Sequence, residues 1–179
     1  MPVGFRFRVD LGCRGSTALE FAFVAMPALT MMFGVLAIGI IGMFQQVLDN
    51  AVRDATRQVQ IYASAAQSAT AFKAAICNQL SVLTDPTACA ASATAVTYSV
   101  NTSTPAMGFA GITPASVQSN GTLNNNFFSG AAVGPGTNVL VQVCWQLPFS
   151  IPFMSGLITA GTGGNCLYGI GATQVEPYQ

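Results

Sequence analysis

The chain has 179 residues, of which 51% are hydrophobic and only 7% are charged, and six basic residues balance six acidic ones. It contains no histidine, which excludes Ser-His-Asp and Cys-His catalysis and zinc sites that contain histidine. The neutral charge and the lack of a basic patch argue against nucleic acid as a partner. Because no two carboxylates have the spacing of an acid/base pair or a calcium loop, we expect no enzymatic activity, metal or cofactor.

Residues 21–44 form an uncharged, apolar run. Its 24 residues exceed what a buried core helix needs. They are enough to cross a hydrocarbon layer of about 30 Å, so we predict a transmembrane helix. Arg6, Arg8 and Arg14 precede the run, whereas the acidic and basic residues that follow it at 49–57 cancel. This asymmetry predicts a cytoplasmic N-terminus, with the remainder of the chain across the membrane.

The junction ahead of the run reads Arg14-Gly15-Ser16-Thr17-Ala18-Leu19-Glu20-Phe21. It resembles the processing site of type IV pilin precursors, in which a short basic leader ends in a glycine and a glutamate is the fifth residue of the mature chain. The continuation to Pro27 is similar to the TadE-like pseudopilins of tight-adherence (Tad/Flp) pilus systems. In that family a Gly-x-x-x-x-Glu-Phe junction leads into an apolar helix with an early proline. The ending Glu176-Pro177-Tyr178 also resembles that family.

The resemblance implies that a prepilin peptidase cleaves between Gly15 and Ser16, which makes residues 1–15 a leader peptide. Glu20 would then be the fifth residue of the mature chain. Its implied role in assembly is to pair with the free amine of a neighbouring subunit and so to set the register between subunits. Phe21 and Pro27 belong to the same implied assembly segment.

Other interpretations of this junction stay open. Thr17-x-x-Glu20 is also a capping box, in which the hydroxyl and the carboxylate bind free amide groups of the first helical turn. The leader arginines and the apolar run also fit a removable signal peptide with residues 37–39 as its cleavage site, although the run greatly exceeds the usual apolar region of such peptides. An uncleaved single-pass membrane anchor is the remaining alternative.

Beyond residue 44, apolar residues recur in steps of three and four, at Leu48, Val52, Ala55, Val59, Tyr62, Ala66, Ala69 and Phe72. This stripe predicts that the membrane helix continues outward as an amphipathic helix, and we place the long helix at residues 16–66. To Tyr62 it would be about 70 Å long. Two helices with a break near Ser64 or Ser68 are the alternative. A further helix is predicted over residues 71–83, before Asp85-Pro86.

Three later segments alternate apolar and polar residues or have strand-like composition, and we predict strands at residues 95–100, 139–146 and 167–175. In the last of them, Gly169 and Gly171 indicate a close backbone approach or a bulge. Residues 101–137 are rich in Asn, Gly, Ser, Thr and Pro, and we interpret them as a loop with room for one short strand.

The chain has five cysteines. Cys13 lies in the leader, and the other four lie on the predicted oxidising side of the membrane, where an even number suggests two disulfides. Three connectivities are possible. We favour Cys77 with Cys89 and Cys144 with Cys166, because each pair brackets a turn that contains proline or glycine. Free buried thiols are the alternative.

These segments predict an α+β, pilin-like fold in which the long helix packs on a small antiparallel sheet, with residues 67–179 forming a disulfide-stapled domain. The resemblance implies a minor pilin or pseudopilin of a Tad/Flp-type pilus that contributes to pilus assembly and surface adhesion. It would be a single-pass protein of the bacterial inner membrane with a periplasmic domain. Its implied partners are the prepilin peptidase, other pilins and pseudopilins, the inner-membrane assembly platform and membrane lipid. The competing hypothesis is an unprocessed single-pass anchor with a binding or scaffold domain.

Overall fold

The computed structural model of the protein describes residues 16–61, 68–130, 133–147 and 166–176. Its helices are α1 (Ser16–Gln60), α2 (Ala69–Gln79) and α3 (Pro86–Ala91), and its strands are β1 (Val96–Ser103), β2 (Asn126–Gly130), β3 (Asn138–Gln146) and β4 (Cys166–Gln174). Short 3-10 turns lie at Leu80–Val82 and Phe109–Gly111. The chain divides into two compact units, residues 1–40 and 41–179, and the boundary between them lies inside α1.

The long helix ends earlier than the apolar stripe suggests. α1 ends at Gln60, and α2 begins at Ala69. Ser68 has an extended backbone and caps α2, since its hydroxyl oxygen accepts a hydrogen bond from the amide of Ala71 at 3.2 Å. The described residues fit the two-helix alternative, and residues 62–66 of the predicted long helix lie outside them.

The four strands form a mixed sheet in the order β2-β1-β3-β4. β3 pairs antiparallel with both β1 and β4, whereas β1 and β2 are parallel. The α+β class is confirmed, but the prediction of an antiparallel sheet is wrong for the β1/β2 pair. A parallel pair needs a crossover of a dozen or more residues, and the connection through residues 104–125 is long enough to supply it.

One face of the sheet packs against the second part of α1 and against α2. The largest core side chains from the helices include Leu48, Val52, Val59, Phe72 and Ile76, and those from the sheet include Val96, Val100, Val139, Val141 and Val143. Ile41 and Phe44, at the end of the apolar run, also pack against this core, where the Phe44 ring meets Trp145 edge-on at 5.6 Å between centroids. The last turn of the predicted membrane segment therefore belongs to the domain.

α1 and β4 run side by side in the same direction. The Gln45 amide Nε2 donates to the backbone carbonyl of Tyr168 at 3.0 Å. At the other end, the backbone N–H of Glu176 donates to the carbonyl of Gln60 at 3.2 Å. Between these two hydrogen bonds the helix advances about 22 Å and the strand about 26 Å. The two elements therefore have similar lengths over the whole contact.

Gly169 and Gly171 allow this close approach. A Cβ atom at Gly169 would lie 2.8 Å from Cγ2 of Val52, and one at Gly171 would lie 3.1 Å from Cβ of Thr56 and overlap its hydroxyl. That hydroxyl has little freedom, because it donates to the carbonyl of Val52 at 2.7 Å in a buried position. The predicted close backbone approach at these glycines is confirmed.

Two disulfides connect neighbouring elements. Cys77–Cys89 joins α2 to α3, and Cys144–Cys166 joins β3 to β4. Both are the pairings that the sequence favours. In the chain-entropy model, loops of this size each stabilise a domain by roughly 3 kcal/mol.

The Asp85-Pro86 step separates the second helix from α3. Asp85 caps α3, since its carboxylate accepts hydrogen bonds from the hydroxyl and the amide of Thr87 at 2.7 and 2.9 Å. These bonds lower the pKa of the Asp85 carboxyl. The proline lies in the first turn, where a missing N–H costs no helical hydrogen bond.

Replacing Gly171 with alanine should destabilise the domain by about 1–3 kcal/mol, the usual cost of overpacking a core. Trp145 is the single tryptophan of the chain and lies in the core, so its fluorescence reports unfolding of the full chain in detergent. Gly134→Ala is the matched control, since a Cβ there meets no atom within 4 Å.

A double variant isolates the contact. In a Thr56→Ala background the cost of Gly171→Ala should fall, because the overlapping hydroxyl is gone. An equal cost in both backgrounds, or a cost no larger than that of Gly134→Ala, would contradict the packing described for α1 and β4.

Candidate functional site

Between Leu19 and Ile40, α1 exposes its large apolar side chains on every side. Their exposed fractions range from 47% at Ile40 to 78% at Met31. The most apolar 18-residue window of the helix has a mean hydropathy of 2.2, and none of it is buried. A helix that is apolar all round is typical of a membrane span or of a buried core. At about 33 Å, this segment has the length and composition to cross a membrane.

Glu20 is the single ionisable residue between Ser16 and Leu48. It is exposed in the second turn of α1, beside Phe21, whose side chain is 75% exposed. An ionised carboxylate on an otherwise apolar helix is costly inside lipid unless it finds a partner. Glu20 therefore places the one negative charge of this apolar segment near its N-terminal end.

The backbone of Ser16 and Thr17 bears on the interpretation of the junction. Ser16 and Thr17 both have helical backbone, so Thr17 does not occupy the capping position that a Thr17-x-x-Glu20 capping box requires. Gly15 lies outside the described residues, as do the leader and the side chains at 16–18. Processing between Gly15 and Ser16 stays a prediction.

α1 continues through Pro27 without a break. Proline has no N–H, so the carbonyl of Phe23 lacks the donor that a helix normally supplies four residues later. Thr30 donates its hydroxyl to the carbonyl of Pro27 at 2.9 Å. Pro27 therefore removes one hydrogen bond of the helix in an exposed apolar stretch, where a neighbouring helix can approach the backbone.

A second feature lies in the domain and was not found from the sequence. Arg53, Thr56, Arg57 and Gln60 of α1 and residues 171–173 of β4 line an open groove of about 400 Å³, which we call the α1–β4 groove. Its only signal in the sequence is the pair of arginines four residues apart on the polar side of an amphipathic helix. Only the folded structure shows that these arginines lie beside β4.

The described residues offer no metal site. Within residues 16–61, 68–130, 133–147 and 166–176, no three cysteine, aspartate or glutamate side chains are placed together as metal ligands would be. The four cysteines of the domain are joined in disulfides.

The model of the TadE-like protein family matches residues 15–57. The match begins at the glycine predicted to precede the cleavage site, includes Glu20, Phe21 and Pro27, and ends in the part of α1 that packs on the sheet. No curated protein and no solved structure matches the chain. The resemblance that the junction residues carry is thus confirmed, and the chain contains a TadE-like segment that comprises residues 15–57 and most of α1.

Proposed function

We propose that this protein is a minor pilin or pseudopilin of a Tad/Flp-type pilus, a structural component and not an enzyme. A prepilin peptidase would process it between Gly15 and Ser16. The observation that carries the proposal is the coincidence of three features at one junction. The TadE-like match begins at Gly15, Ser16 has helical backbone within α1, and Glu20 is the single charge on the exposed apolar helix that follows.

Glu20 would act through its charge. At the centre of a membrane helix a carboxylate costs up to about 3 kcal/mol, and the cost falls toward the helix end. After cleavage, the amine of Ser16 on a neighbouring chain is a partner of opposite charge at the same depth. Pairing removes much of the cost only when the two chains are offset correctly, so it sets the register between subunits.

The exposed apolar part of α1 would serve in two settings. In the precursor it anchors the chain in the inner membrane with its N-terminus in the cytoplasm, as the leader arginines predict. In the assembled fibre the same surface would pack against helices of other pilins. The free carbonyl of Phe23 at Pro27 would be satisfied there by a neighbouring helix.

The domain that begins at residue 41 would lie in the periplasm and then on the outside of the fibre. Its two disulfides suit an oxidising compartment. In this position the domain is available to the assembly platform, to other pilins and to surfaces during adhesion.

The first test is the N-terminal residue and intact mass of the membrane-extracted protein, from cells with and without the prepilin peptidase. We expect a chain that begins at Ser16 only when the peptidase is present. Gly15→Val should block processing, whereas Gly12→Val, a matched change in the leader, should not. A chain that keeps its leader in both strains would instead favour an unprocessed single-pass anchor.

The second test concerns Glu20. Glu20→Gln keeps the size of the side chain and removes its charge, so we expect normal processing but an at least tenfold loss of the protein from sheared surface fibres. Glu20→Asp keeps the carboxylate and should retain most incorporation. Normal incorporation of Glu20→Gln would show that the charge does not set the register.

A further inference from the structure

Among the described residues, the outer edge of β4 has unpaired backbone groups between two positions at which α1 forms hydrogen bonds with it. β4 is the last strand of the sheet, and its alternate residues direct their backbone groups either to β3 or outward. Tyr168 directs its carbonyl outward to Gln45, and the N–H of Glu176 points outward to Gln60. By the same alternation, Ile170 and Ala172 present their N–H and C=O groups outward, and no described residue pairs with them.

The α1–β4 groove lies along this open stretch and carries two positive charges. Arg53 and Arg57 line it together with residues 171–173, and both arginines are exposed. Neither forms an ion pair with any residue that the structure describes.

The acidic side chains near the groove accept hydrogen bonds from glutamine side chains. Gln45 donates to the carboxylate of Asp49 at 3.2 Å. Gln79 donates to Asp54 at 2.8 Å. Gln60 donates to Glu176 at 3.3 Å. None of these acids forms an ion pair with Arg53 or Arg57 among the described residues, although Asp49 and Arg53 line a neighbouring pocket together.

We propose that the α1–β4 groove binds an extended acidic segment of a partner chain, which adds to the sheet as a strand next to β4. Backbone hydrogen bonds to Ile170 and Ala172 would supply affinity, and carboxylates paired with Arg53 and Arg57 would supply specificity. The proposal depends neither on processing at Gly15 nor on the pilus assignment.

The spacing of the charges fits a strand. Two helical residues four apart are about 6 Å apart along the axis, and two strand residues on one face are about 6.7 Å apart. Because α1 and β4 run in the same direction, carboxylates at alternate positions of an added strand would meet Arg53 and Arg57 in turn. The intervening side chains would lie on the opposite face, beside Ile170, which is 58% exposed. The ligand is therefore an alternating acidic and apolar sequence.

Fluorescence anisotropy with the full chain in detergent tests this directly. The probe is a labelled, capped nonapeptide of alternating valine and glutamate. Two controls are the same peptide with lysine in place of glutamate, and a glycine/glutamate peptide of the same charge that forms strands poorly. We expect saturable binding of the valine/glutamate peptide and at least tenfold weaker binding of both controls.

Two variants separate the parts of the site. Ala172→Pro removes an outward N–H without breaking a bond to β3, so the sheet should fold while peptide affinity falls at least tenfold. Arg53→Gln combined with Arg57→Gln should also weaken binding about tenfold, whereas Arg53→Lys with Arg57→Lys should retain most of it. Trp145 fluorescence on heating checks that each variant is folded.

Three outcomes would overturn the proposal. Equal affinity for the glycine/glutamate peptide would mean that charge alone attracts the ligand. Unchanged affinity in folded Ala172→Pro would mean that the strand edge is not used. The absence of binding by any of the peptides would mean that the arginines only protect an exposed edge from pairing, a common role of charged residues beside edge strands.

Discussion

The close contact between α1 and β4 is the constraint on which the rest of the structure depends. Gly169 and Gly171 let the strand approach the helix until a single added carbon would collide with Val52 or Thr56. This approach brings Leu48, Val52 and Val59 into the core against the sheet. β4 is also the edge strand of the sheet, so its open stretch lies beside two arginines of α1. Core packing and the α1–β4 groove are therefore two results of the same contact.

One helix thus serves two environments. Up to Ile40 its large apolar side chains are exposed, as suits lipid or other helices, and from Ile41 onward its apolar side is taken up by the domain core. Because no linker lies between the two parts of α1, the domain contains the continuation of the same helix that would anchor or assemble the protein. The TadE-like match runs across this boundary and ends at residue 57. The family resemblance therefore includes both the exposed part and the core-forming part of the helix.

Local sequence patterns predict the elements whose burial follows a simple period. The stripe of Leu48, Val52, Ala55 and Val59 predicted the buried side of α1, and all four are buried. The sequence allowed one short strand within residues 101–137 but did not locate β2, because β2 has only five residues and pairs with β1, which lies more than 20 residues earlier in the chain. The sequence left open whether the long helix continues to residue 66 or breaks near Ser64 or Ser68, because residues 61–67 contain no glycine or proline and Ser68 acts as a cap only once its backbone is extended. The α1–β4 groove could not be predicted from a local pattern. Its prediction requires knowing that β4 is an edge strand and that the face of β4 with Gly169 and Gly171 packs against α1.

The most direct test of this account is a nitroxide accessibility scan of residues 19–60 in a reconstituted bilayer, with Cys13 replaced by serine and the disulfides intact. We predict high oxygen accessibility without periodicity over residues 21–40. From residue 41 onward, accessibility should vary with a period of about 3.6 residues, with minima at Leu48, Val52 and Val59. A helical period that already begins before residue 40, or access of a water-soluble nickel chelate to residues 21–40, would contradict the division of α1 into a lipid-exposed part and a domain-core part.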